Sequence, residues 1–155
     1  RNVHIDEQYR LHIAPIDAVK HLQDRALPVS GDEIVSDSVR ARLSFVSEGD
    51  CRVRLTEGER EYLTLRVRGG EIVVDRVSRF PDADETEERI RLGGNKHKFD
   101  ILVDGSATEI FVDGVAAVSV RMYRSEKPEK LFSRKEGRVT DVRAYTMKAA
   151  QIVGE

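Results

Sequence analysis

The side chains able to carry chemistry are few and widely spaced. Among 155 residues there is one cysteine, Cys51, and four histidines, His4, His12, His21 and His97. A single thiol cannot close an internal disulfide. The one cation beside Cys51 is Arg52, with no adjacent histidine or lysine to activate it as a nucleophile. Cys51 reads as a small hydrophobe at the start of a strand. The histidines lack metal-ligand spacing. His4 and His12 can meet across a short hairpin, but the sequence supplies no third ligand, so a structural zinc site is not expected. The acids Asp82, Asp84, Glu85, Glu87 and Glu88 crowd one stretch. They lack the glycine and ordered spacing of a calcium-binding loop and read as a solvated acidic loop between strands. No metal and no cofactor is therefore expected. From Arg121 to Arg138 there are seven basic residues and three acidic ones. Without interleaved aromatics this is a solvated edge, not a nucleic-acid surface. Glu109 stands mid-strand between Thr108 and Ile110. The expectation there is a carboxylate paired with a cross-strand arginine such as Arg121, or one exposed at an edge.

Bulk composition narrows the classes further. The 26 Lys plus Arg nearly balance 28 Asp plus Glu, for a net charge of −2, which excludes the broad basic footprint of a duplex-binding protein. No run of about 18 apolar residues exists, so no membrane contact is expected. A chain of this length forms one domain and hides roughly 70% of its unfolded surface. One cysteine is compatible with a reducing compartment, and a cytoplasmic protein is expected.

Strands must do the positioning. The chain has 19 Val, 9 Ile and 6 Thr against 10 Leu. Branching at Cβ suits a pleated surface better than a helix. Tight-turn dipeptides separate alternating segments. Asp104-Gly105 lies between FDILV and SATEIFV, Asp113-Gly114 precedes VAAVSVRMY, and Gly69-Gly70 joins YLTLRVR to EIVVDR. Each predicts a hairpin, with a type I′ turn at Asp-Gly. Glu48, Gly49 and Asp50 predict a fourth between RARLSFV and CRVRL. Leu63, Leu65 and Val67 share a face opposite Thr64, Arg66 and Arg68, the period of two expected of an antiparallel sheet. A last strand is expected over 138–147, although Val139, Val142 and Tyr145 recur every three residues. Near the N-terminus, VHI and YRLHIA can pair around Asp6, Glu7 and Gln8, and Pro15 to Arg25 carry a weak helical spacing that ends at Leu27-Pro28.

The string FDILVDGSATEIFVDGVAAVSVRMY, Phe99 to Tyr123, resembles the C-terminal β-sandwich module of glycoside hydrolase family 32. That family includes invertases, sucrose-6-phosphate hydrolases, levanases and inulinases. Asp104, Ser106, Glu109, Phe111, Asp113, Gly114, Arg121 and Tyr123 fill the places of its Val-Asp-x-Ser strand end, Glu-Val-Phe segment, Asn/Asp-Gly turn and Arg-x-Tyr strand end. Upstream, IVVDR ends in Asp75 and Arg76, similar to the family's hydrophobic-Val-Asp-Arg strand end. RLHIAPI (Arg10 to Ile16) is similar to the segment where its chain passes from propeller to sandwich. Gly105 departs from the usual larger, often basic residue, and the chain has no tryptophan to form an aromatic sugar platform.

The resemblance implies an all-β, two-sheet antiparallel sandwich of the concanavalin or lectin-like kind, with about six strands per sheet. It implies a leading segment and linker over 1–30 and the sandwich module over 31–155. It further implies a non-catalytic role, the ten family-motif residues being structural. The family's Asp nucleophile, Arg-Asp-Pro and Glu-Cys motifs do not occur here. The implied partner is the chain's own catalytic propeller, with a homodimer and a contact to fructan or sucrose as further possibilities. A free-standing, galectin- or laminin-like sugar-binding domain is the alternative, and a pure protein-interaction sandwich a third reading. The strands from Phe99 to Tyr123 are expected at the sheet centre, with Ile101, Val103, Ile110, Val118 and Val120 in the core. Val3, Ile5, Tyr9, Leu11 and Ile13 are expected at the margin of a docking face.

Overall fold

Wherever β-branched and aromatic residues alternate with polar ones the chain is extended. The structure, a computed structural model, describes residues 1–57, 60–76, 86–121 and 130–149. Its elements are β1 (Asn2–Ile5), β2 (Leu11–Ala14), α1 (Ala18–His21), β3 (Gln23–Leu27), β4 (Glu33–Ile34), β5 (Arg40–Glu57) and β6 (Arg60–Arg68). They continue with β7 (Glu71–Arg76), β8 (Thr86–Arg91), β9 (Lys96–Asp104), β10 (Ala107–Val112), β11 (Ala116–Arg121) and β12 (Lys130–Met147).

Two 18-residue strands, β5 and β12, organise everything else. They pair with each other antiparallel along most of their length. Their outer ends belong to different layers. In the first layer the leading part of β5 and the trailing part of β12 lie in the order β11-β10-β9-β5-β12-β3. In the second, the trailing part of β5 and the leading part of β12 lie in the order β8-β7-β6-β5-β12-β4. The two layers of six are thus one continuous hydrogen-bonded surface folded on itself. Leu43, Phe45, Phe99, Ile101 and Ile110 of the first layer and Val53, Leu55, Leu65, Ile72 and Phe132 of the second are all at most 2% exposed. Phe45 stacks on Phe99 at 4.7 Å and meets Phe132 across the layers at 5.6 Å.

The expected turn at Glu48, Gly49 and Asp50 is corrected: the chain runs straight through it as β5. What the glycine permits is a corner. Gly49 has φ +71° and Gly137, on the facing strand, φ +79°, while the β5–β12 register shifts on both sides of Glu136. Strands that change layers do so through such bulges. A second bulge, between Thr140 and Arg143, explains the three-residue recurrence of Val139, Val142 and Tyr145, because an inserted residue breaks alternation. The last strand also starts earlier than expected, at Lys130.

Two further expectations change. Within the expected helical segment, residues 15–25, only Ala18–His21 is helical, and Gln23–Leu27 pairs with β12 as β3. One turn of helix is marginal in isolation, whereas pairing satisfies the backbone and buries Leu27 to 8% exposure. The strands from Phe99 onward are not the sheet centre, since β11 is an edge strand. Ile101, Val103 and Ile110 are buried, but Val118 and Val120 are half-buried. Val118→Asp should therefore cost only about 1–2 kcal/mol in a urea melt, against more than about 4 for Ile110→Asp. Equal costs at the two positions would show β11 to be interior.

The Gly69-Gly70 hairpin has positive φ at both positions, as type I′ requires. Asp104 instead pairs with Ala107, so Gly105-Ser106 forms the turn and Gly105 alone has positive φ, the type II′ pattern.

Candidate functional site

The described family-motif residues lie on β7, β9, β10 and β11 and in the turns between them. Asp113 begins the turn after β10 with φ +54°, a conformation aspartate tolerates better than most residues. Its Oδ1 accepts the backbone N–H of Lys98 at 2.6 Å, and its Oδ2 lies 2.7 Å from Nδ1 of His97. His97 is 1% exposed. A buried imidazole thus pins the turn to β9, a role its isolated place in the sequence gave no means to see. Gly114 follows, and its carbonyl accepts the N–H of Ile13 at 2.6 Å.

Glu109 is paired with an arginine, but not with Arg121. The register sets Ser119 opposite Glu109 and Arg121 opposite Ala107. Glu109 Oε1 accepts from Nε of Arg1 at 3.2 Å and from Ser119 Oγ at 3.3 Å. Arg121 donates to Ser106 Oγ at 3.4 Å. Its carbonyl accepts from Arg76 Nη1 at 3.2 Å, tying β7 of one layer to β11 of the other at their rim. Asp104 pairs with Arg40 and Asp75 with Arg66, at 2.9 and 3.0 Å. Phe111 is 2% exposed yet stands outside the continuous core, opposite Asp100 and Ala117. Tyr123 lies outside the described residues.

These carboxylates are arranged as ion-pair partners. The Asp6, Asp17, Asp32 and Glu71 carboxyls are held below their ordinary range, led by hydrogen bonds from His12, Lys20, Arg134 and Arg91 respectively. Burial pushes the Cys51 thiol up, which keeps it inert. Glu87 and Glu88 of the acidic stretch are not in a loop but on β8, where Glu87 pairs with Arg66 and Arg89. Asp82, Asp84 and Glu85 lie outside the described residues. Within the basic stretch, Arg134 pairs with Asp32 and Arg138 with Glu48, at 2.6 and 3.0 Å.

The N-terminal hairpin is the unusual element. Cross-strand pairs Val3–Ile13 and Ile5–Leu11 place four apolar side chains on one face, while His4 and His12 share the other. The apolar face is turned to solvent: Val3 is 57% exposed, Ile5 66% and Leu11 44%, with Tyr9 at the turn 92%. Including Ile16, five of the seven large hydrophobic side chains exposed among the described residues fall in the first 16 positions. The ribbon is anchored to the sandwich through Ile13–Gly114 and through Arg1 on Glu109 and Ser119.

Six strands facing six across an aromatic and aliphatic core, joined by tight hairpins, define a lectin-like antiparallel β-sandwich. The chain belongs to the C-terminal module family of the family 32 glycosyl hydrolases: the family model described as glycosyl hydrolases family 32 C terminal matches residues 16–148. No curated protein sequence matches it. Among solved structures it is similar to sucrose-6-phosphate hydrolase from Lactobacillus gasseri, with a TM-score of 0.77 and 21% identity over 94% of this chain and 32% of that one. It is also similar to fructan 1-exohydrolase IIa from Cichorium intybus, with a TM-score of 0.70 and 14% identity over 96% of this chain and 40% of that one. Sheep galectin-11 in complex with glycerol matches at a TM-score of 0.56 and 11% identity, over 75% of this chain and 99% of the galectin. At these identities the likeness is one of fold. The chain spans 32% and 40% of the two hydrolases.

Proposed function

We propose that this chain is the non-catalytic sandwich module of a β-fructosidase acting on sucrose, sucrose phosphate or fructan, and that it seats the catalytic propeller of the same protein. The observation that carries this reading is the outward apolar face of the β1–β2 ribbon. An isolated two-stranded hairpin is marginal in water, and an apolar face left in solvent makes it more so. Covering that face recovers about 25 cal/mol for each Å² of apolar surface removed from water. A propeller joined just ahead of β1 would lie beside it, and the hydrolases of similar fold carry two to three times this chain's length.

The 155-residue chain alone is expected to release no fructose from sucrose, inulin or levan. In the full-length parent, Ile5→Lys with Leu11→Lys should split one thermal transition into two as the modules separate. A single unshifted transition in that variant would overturn the docking assignment. Fructose release by the isolated chain, abolished by Glu109→Gln with Asp104→Asn, would overturn the non-catalytic one. Saturable sugar binding by the isolated chain, with no effect of the lysine variants, would favour the galectin-like alternative.

A further inference from the structure

The sequence leaves His4 and His12 without a third ligand, yet the hairpin sets them face to face. They are directly opposed across β1 and β2, with ring centroids 4.8 Å apart and planes within 10°. A carboxylate stands beside them: Asp6 Oδ2 is 3.0 Å from Nε2 of His12. Asp6 is itself fixed. Its Oδ1 accepts the backbone N–H groups of Gln8 and Arg10, both at 2.9 Å, and its Oδ2 accepts Nε of Arg10 at 2.8 Å. Asp6 is the acceptor in all three of these bonds.

A side-chain carboxyl surrounded by N–H donors in this way is placed to accept from His12 as well. The proton between Asp6 and His12 therefore sits on Nε2, and a neutral His12 ring carries its lone pair on Nδ1. Metal-binding histidines are commonly held in this way, with one ring nitrogen on a carboxylate and the other free for the ion. Both rings are reachable from solvent, His4 being exposed and the His12 side chain 36% exposed.

We propose that His4 and His12 form a two-nitrogen, cross-strand chelate for a borderline divalent transition ion such as zinc or nickel, with Asp6 orienting His12. Imidazole nitrogen suits these ions, whereas magnesium and calcium demand oxygen. Water fills the remaining coordination positions. That is consistent with the finding that, among the described residues, no three His, Cys, Asp or Glu side chains form a ready cage. Binding requires the stacked rings to tip toward a common point about 2.0–2.1 Å from each nitrogen, a change open to surface side chains. The chelate ties β1 to β2, and by binding only the paired ribbon it favours that ribbon over its frayed state. Its value for presenting Val3, Ile5 and Leu11 rests on the docking reading above, but the site itself does not.

The test uses the 155-residue chain, so it is independent of whether a propeller docks. Zinc chloride is titrated at neutral pH by calorimetry, while the imidazole nitrogens are followed by NMR. One zinc per chain is expected, with the rings of His4 and His12 shifting together, His21 and His97 unmoved, and magnesium silent. His4→Gln or His12→Gln should weaken zinc at least tenfold, and Asp6→Asn by about tenfold as an orienting residue. His21→Gln should leave it unchanged. Zinc affinity undiminished in His4→Gln, or ring shifts confined to His21, would overturn the proposal. Matching amide spectra of the sandwich in every variant confirm that the change is local.

Discussion

Gly137→Ala is expected to destabilise the protein by roughly 2–6 kcal/mol. Two costs add. At φ +79° any side chain strains the backbone by about 1–3 kcal/mol. A Cβ at this position would also stand 2.0 Å from the carbonyl oxygen of Asp50 and 2.7 Å from Cα of Cys51. Those are backbone atoms of the facing corner and cannot swing aside, so relief requires the two long strands to part, at a further cost of about 1–3 kcal/mol. Gly49→Ala is the matched control. Its φ is also positive, but nothing lies within 4 Å of the added Cβ, so only the backbone strain of about 1–3 kcal/mol is expected. Urea unfolding of both variants reads the difference directly. Equal losses would mean that the corner does not bring the strands into contact.

Phe45→Ala should cost a further distinct 3–5 kcal/mol. Phe45 is 1% exposed and touches Phe99 within its own layer and Phe132 in the other, so truncation opens a cavity where the layers meet. Neither neighbour can collapse into it freely, because Phe99 and Phe132 are themselves interior to their strands and fully buried. Phe45→Leu, which keeps most of the volume, should recover more than half of the loss. A cost below about 1 kcal/mol for the alanine variant would show that the three rings do not form a shared contact.

The hairpins were legible because local chemistry decides them. Gly69-Gly70 supplies the two positive φ values a two-residue turn needs, and the alternation of Leu63, Leu65 and Val67 fixes which face is buried. The corner was not legible. Gly49 satisfies a turn and a layer-changing bulge equally well, and only the distant Gly137 decides between them. The same holds for Gln23–Leu27, whose extended form comes from β12. At the candidate site, pairing across strands depends on register, which the motif does not carry. A shift of two residues separates the expected Glu109–Arg121 pair from the observed Glu109–Ser119 one. Arg1, more than a hundred positions away, had no signal at all.

The sharing of β5 and β12 also bears on how the protein is made. Thr146 pairs with Ala41 and Lys130 with Thr56, so the middle of each layer joins the first half of the chain to its final stretch. A growing chain on the ribosome can form the hairpins from β6 to β11 as they emerge, but the second layer gains its central partner only with residues 130–136 and the first only with residues 138–147. Assembly of the sandwich is thus deferred until β12 has emerged. Until then the hairpins from β6 to β11 stand without the strand that joins the layers, the slow, non-local step of this topology.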